Sequence, residues 1–98
     1  MIENAEVVSR LLPEVWSFKL YVCGETPKAA KTYDNLKKIC KSRADGHCRI
    51  EVVDLVKNPA QAINENIMAC PTVVKESPAP KQIIIGDLSN TSIVYYQN

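Results

Sequence analysis

Residues 20–28 read LYVCGETPK, and the order of residue types in this stretch decides the fold. The run from Leu20 to Cys23 has no polar member, as expected of a strand covered on both faces, and it extends back through WSFK at 16–19. Thr26 can accept a hydrogen bond from an early helical N–H as N-cap, and Pro27 at the first helical position loses no needed donor. A central strand therefore runs into a helix around Gly24. Cys23 at that junction is either a reactive thiol or a small residue closing a buried strand.

Outward from the junction, Ala29, Tyr33, Leu36 and Cys40 recur at helical spacing and, with Ala30 and Ile39, form one apolar stripe on a helix reaching about Ser42. Lys28, Lys31, Lys37, Lys38 and Lys41 occupy the remaining faces. After an Asp45-Gly46 turn, CRIEVVDLV at 48–56 is rich in β-branched residues and reads as a second strand. Asn58-Pro59 repeats the cap-then-proline signal with Gln61 at N3, which predicts a short helix through Ile63 and Ile67. Two strands joined by a long helix make a right-handed crossover and lie parallel, so the class is α/β.

Pro71 cannot donate to a ladder and should mark a strand start or an edge before Thr72-Val73-Val74. Pro78 and Pro80 break the chain, and QIIIGDL at 82–88 forms the next strand, with Gly86 suggesting a bulge or a close backbone approach. X-Pro bonds interconvert slowly, so Pro71, Pro78 and Pro80 are candidate isomerisation or switch positions for the region they punctuate. Residues 91–96, TSIVYY, have the composition of a strand.

The chain has 98 residues, 46% of them apolar, which suits one domain and not two. Residues 16–98 are read as that domain and 1–15 as an N-terminal extension, in which Val7, Val8, Leu11 and Leu12 make a short apolar face ended by Pro13. Twelve basic and eleven acidic residues nearly cancel, so no global field favours nucleic acid or a membrane surface as partner. No apolar run approaches the ~20 residues that cross a bilayer. The acidic start MIENAEVVSR differs from a secretory signal, which makes a cytoplasmic location the expectation. In that compartment Cys23, Cys40, Cys48 and Cys70 would stay reduced, and no C-x-x-C pair is present for zinc or redox chemistry. His47 in the ADGH turn is expected to be solvated, and no metal or other cofactor is expected.

Three ordered blocks, LYVCGETP, VVDLVKNP and PTVVKESPAPKQIIIGDLS, resemble signature stretches of the KaiB clock-protein family, which typically read LYVAGNTP, V-x-D-V-x-KNP and PTL-x-K followed by prolines and IIGDLS. The resemblance spans about residues 19–90, and the spacing between blocks matches without gaps. It implies a thioredoxin-like fold, βαβ followed by a helix and a β-hairpin, or the family's alternative with a rearranged C-terminal half. It also implies a non-enzymatic regulator that binds a KaiC-type ATPase ring and modulates its phosphorylation or timing state. Some family members engage KaiA, and related sensor domains of histidine kinases compete for the same ring. Dimers or tetramers occur in the family.

Carried over by position, the implied partner-binding residues are Lys31 on the first helix, Lys57 of the KNP stretch and Lys75 after the proline-threonine block. Asn66 stands where the family usually has a lysine, so one implied contact is missing, and the chain ends soon after GDLS. Two other functions compete with the regulator: a kinase's KaiC-binding sensor domain, and a thiol oxidoreductase using Cys23 and Cys70. In a thioredoxin-like fold the end of the first strand meets the proline that follows Cys70. Exchange chemistry needs a low-pKa thiolate and a resolving partner. Glu25 would disfavour the thiolate at Cys23, and the family usually has alanine there, so Cys23 is expected to be a small core residue.

Overall fold

A computed structural model describes residues 15–89 and 93–97. Its elements are β1 (Trp16–Val22), α1 (Pro27–Arg43), β2 (Cys48–Asp54), α2 (Ala60–Asn64), β3 (Thr72–Ser77), β4 (Lys81–Ile85) and β5 (Ile93–Gln97). The sheet order is β2-β1-β3-β4-β5. β1 pairs in parallel with β2, Trp16 opposite Cys48 through Val22 opposite Asp54, and β3 and β4 form an antiparallel hairpin beside β1. This is the thioredoxin-like order expected of βαβ followed by a helix and a hairpin, with β5 added antiparallel to β4. Residues 1–14 of the N-terminal extension lie outside the described residues.

Strand alternation sorts β1 into two cores. Phe18, Leu20 and Val22 point to one face and pack with Leu36 and Cys40 of α1 and Val73 of β3. Tyr21 points to the other face with Val53, Leu55 and Val74, where Ala62 and Ile67 partly cover it. Fully burying an aliphatic side chain such as Leu20 or Leu36 contributes about 1.5–3 kcal/mol, so α1 is held mainly by this face. The central place of β1 explains why its sequence is apolar on both sides from Leu20 onward.

The start of α1 follows the expected logic: Thr26 is the N-cap and its Oγ1 accepts a hydrogen bond from the Ala29 N–H at 3.0 Å. The buried stripe is shifted from expectation. Thr32, Leu36 and Cys40 face inward, whereas Tyr33 is 38% exposed and lies under the Lys37 ammonium at 5.2 Å. Thr32 can be buried because its Oγ1 donates to the Lys28 carbonyl at 2.7 Å, which removes the penalty of a bare hydroxyl. A polarity-based stripe cannot register that local satisfaction.

The second helix also departs from expectation. It has five residues, none of them buried, and Pro59 rather than Asn58 takes the N-cap position without a side-chain cap. Asn58 instead directs its backbone N–H to the Asp54 carbonyl at 2.9 Å, continuing the turn that leaves β2. Ile63 is 80% exposed while Ile67 packs inward, so the predicted apolar face is only half used. Pro71 falls immediately before β3, as its missing donor requires, and the peptide bonds preceding Pro71, Pro78 and Pro80 are all cis. Gly86 follows β4 with φ +123 and donates to the Pro71 carbonyl at 3.0 Å, which is the close backbone approach anticipated for it.

The largest correction concerns the cysteines. All four are paired, Cys23 with Cys70 and Cys40 with Cys48, and Cys23 is exposed rather than a core residue. The expectation of free thiols rested on compartment and on the absence of closely spaced cysteines, whereas the fold brings each pair of Cα atoms to about 6 Å, 6.0 and 5.9 Å respectively, within the range a disulfide spans.

Candidate functional site

Parallel strands point their carboxyl ends the same way, and ligand and partner sites of α/β sheets favour that rim. Here β1 ends in Val22-Cys23-Gly24, β2 ends in Asp54 followed by Leu55-Val56-Lys57-Asn58, and Cys70-Pro71 enters β3 beside them. The rim is built by hydrogen bonds that radiate from one residue. Asp54 Oδ1 accepts the Gly24 N–H at 3.0 Å and the Val56 N–H at 2.9 Å, and its carbonyl accepts the N–H groups of Lys57 and Asn58 at 3.2 and 2.9 Å. The Leu55 N–H reaches the Val22 carbonyl at 2.8 Å, extending the parallel ladder past β2.

These bonds set the electrostatics. The Val56 N–H, then Gly24 and the Lys57 charge, hold the Asp54 carboxyl below its ordinary value despite partial desolvation. Gly24 has φ +80, which a side chain would resist, so the turn presents its N–H to Asp54 at little backbone cost. Lys57 is exposed on this turn. Asp54 is marked in the sequence as the lone acid in VVDLV just before the Asn58-Pro59 turn.

The Cys23–Cys70 bridge crosses the rim between two clefts. One, of ≈ 290 Å³, is lined by Cys23, Cys70, Pro71 and the first turn of α1 at Thr26, Lys28 and Ala29. The other, of ≈ 400 Å³, is lined by both cysteines together with Leu55, Ala62, Ile67 and Met68. Met68, which lines the second cleft, is 89% exposed, and Ile63 and Val56, each next in sequence to a residue lining it, are 80% and 70% exposed.

The three lysines singled out in the sequence occupy three different elements. Lys57 is on the rim, whereas Lys31 on α1 lies 3.6 Å from Asp87, whose carboxyl is held below its ordinary value by hydrogen bonds to Ser89 and then by that lysine. Asn35 donates to the Asp87 carbonyl at 2.8 Å, so α1 is clamped to the loop after β4. Lys75 on β3 is 8% exposed, with its ammonium 5.3 Å from the centre of the Trp16 ring. That burial was not readable from PTVVK. His47 is exposed, as expected, and its carbonyl accepts the Trp16 N–H at 2.9 Å. Among the described residues no cluster of metal-ligating side chains occurs, and no helix is long and apolar enough to cross a membrane.

The KaiB domain family model matches residues 19–97. A relative named circadian clock protein KaiB3 from Synechocystis sp. (strain ATCC 27184 / PCC 6803 / Kazusa) is 36% identical over 76 residues, covering 78% of this chain and 74% of that protein. The circadian clock oscillator protein KaiB of Trichodesmium erythraeum (strain IMS101) is 39% identical over 79 residues, or 81% of this chain and 76% of that protein. Among solved structures, the N-terminal domain of Synechococcus elongatus SasA superimposes with a TM-score of 0.60 at 16% identity, covering 78% of this chain and 72% of that one. Chloroplastic thioredoxin z gives 0.51 at 17% identity, covering 95% and 74%. At such identities the two structures speak to the fold alone.

Proposed function

The chain belongs to the KaiB family, and from that membership we propose that it is a non-catalytic clock regulator that docks on a KaiC-type ATPase ring and modulates its phosphorylation or timing state. The observation that carries the reading is the ordered match of the whole 19–97 domain, including the rim stretches LYVCGETP and VVDLVKNP. The domain is taken as 16–98, with 1–15 as an extension. The docking surface is the rim: it carries the exposed cation Lys57, and the exposed apolar side chains of Val56, Ile63 and Met68 lie on the segments that follow β2, a mixture suited to a protein surface with acidic groups. Lys31 contributes at its margin by exchanging Asp87 for an acidic group of the ring, whereas Lys75 sits apart from the rim, buried against Trp16 at the amino end of β1. KaiA or a histidine-kinase pathway would act through the same ring, and self-association into a dimer or tetramer belongs to the same proposal.

Co-elution with a KaiC-type ATPase on size exclusion tests it, in both nucleotide states and after long incubation. A complex is expected with the wild-type chain, weakened about tenfold by Lys57→Glu, since reversing one interfacial charge changes both encounter and register. Absence of a complex in every state would leave the family assignment as a statement of fold.

A further inference from the structure

The two sulfur pairs differ in access. Cys40 is 5% exposed and packs in the main core with Cys48 against it, whereas Cys23 and Cys70 are both exposed and both border two clefts. We propose that Cys23–Cys70 is a thiol–disulfide exchange site whose substrate is a thiol, drawn from a small monothiol such as glutathione or from the dithiol of a protein reductant. Exchange begins with a thiolate reaching one sulfur, and either cleft gives it a path.

The leaving group is assigned by the surroundings. Both cysteines border the cleft lined by Lys28 and the first turn of the 17-residue helix α1, and Cys23 stands three residues before its N-cap Thr26, so a thiolate departing from Cys23 faces the positive end of the helix. Of the nearby acids, Asp54 has its Oδ1 engaged by two backbone N–H groups and Glu25 is exposed to solvent. The incoming thiolate attacks Cys70 Sγ; a new S–S bond forms there as the Cys23–Cys70 bond breaks, and Cys23 leaves as thiolate. A second thiolate, from the same dithiol or from another monothiol, attacks the donor's sulfur in the mixed disulfide and frees Cys70. Two electrons and two protons pass to the protein, and the donor leaves as its disulfide.

The fold keeps the reduced sulfurs in register for re-closure. Gly24 remains bonded to Asp54, Thr72 Oγ1 donates to the Ala69 carbonyl at 2.7 Å, and the Gly86 N–H holds the Pro71 carbonyl, so both cysteines sit on anchored turns. The pairing is therefore reversible without refolding.

The native chain is incubated in separate arms with glutathione and with a thioredoxin-type protein dithiol, then quenched by alkylation and mapped by peptide mass. Cys23 and Cys70 should become labelled about tenfold faster than Cys40 and Cys48, given their access. A glutathione adduct on this pair identifies a monothiol donor; labelling without adduct in the dithiol arm identifies the protein donor. Either supports the site. A Cys40→Ala/Cys48→Ala chain should show the same labelling, which excludes relay from the other pair. Cys40 and Cys48 opening first, both pairs opening only in denaturant, or no reaction in either arm would overturn the proposal.

Discussion

The two ends of the parallel strand pair carry one disulfide each, and they do different things. At the amino end, Cys40–Cys48 closes a separation of 8 residues across the turn from α1 to β2, inside the core. At the carboxyl end, Cys23–Cys70 joins residues 47 apart, at the surface, across the rim where partner contacts are proposed. Burial governs how fast a bond can be attacked, whereas loop length governs how much the unfolded chain is restricted. The accessible bridge is therefore the more stabilising one. A dithiol donor suits it because the second thiol completes the reaction intramolecularly.

The widest test of that contrast replaces each pair in turn. Loop-closure entropy gives about 4 kcal/mol for the 47-residue separation and roughly 2.5 kcal/mol for the 8-residue one. Cys23→Ala/Cys70→Ala should thus lower the urea midpoint further than Cys40→Ala/Cys48→Ala, although it removes the more exposed bridge. The reverse order would mean that core burial outweighs loop length. Next in size, Leu36→Ala should cost about 3 kcal/mol in chemical denaturation, because Leu36 is fully buried one turn before Cys40. The same variant should bring the labelling rates of the two pairs closer together by loosening the amino end.

Between the ends, Tyr21 offers a change of opposite sign. It is fully buried, and among the described residues its hydroxyl has no hydrogen-bond partner. Burial first, then the charges of Glu65, Glu76 and Glu51, push its pKa up to about 12. Tyr21→Phe should therefore raise stability by about 1 kcal/mol at neutral pH, by removing an unsatisfied group. A phenol whose folded pKa is raised stabilises fully below its ordinary value near 10 and loses that contribution as pH rises toward 12. The wild-type chain should weaken in that alkaline window more than the phenylalanine variant does, as read from thermal midpoints.

The smallest expected effect lies at the rim. Asp54 has its pKa lowered, so its contribution is present above the ordinary value of 3.8 and lost as pH falls through the lower, folded value. Protection factors of the Gly24 and Val56 amides should fall on acidification in that range, while amides near Cys40–Cys48 stay protected. In Asp54→Asn the acid step should vanish. A step of equal size at both ends would show that Asp54 has no local role.

How much of this was legible follows from the range of each interaction. The β1–α1 junction was readable because cap, proline and apolar run are neighbours in sequence, and the β3–β4 hairpin because prolines punctuate it. Thr32 replacing Tyr33 in the stripe turned on one hydroxyl reaching the Lys28 carbonyl, a detail that hydropathy does not encode. The Cys23–Cys70 bridge needs β3 to insert beside β1, and Lys75 meets Trp16 only through the same pairing. The thioredoxin-like resemblance set Cys23 near the proline after Cys70 without showing a bond between them, and the contact of Lys75 with Trp16 could not be read before the strand order was known. The positions of Lys31 and Lys57 on helix and turn were readable; that Lys31 already faces Asp87 was not.

The most direct test of the central claim, docking through the carboxyl-end rim, is hydrogen–deuterium exchange of the chain alone and with a KaiC-type ATPase. The account predicts that binding slows exchange at residues 23–26 and 54–58 and leaves the turn around residues 44–48 unchanged. Protection confined to that turn, or no protection anywhere in a demonstrated complex, would contradict it.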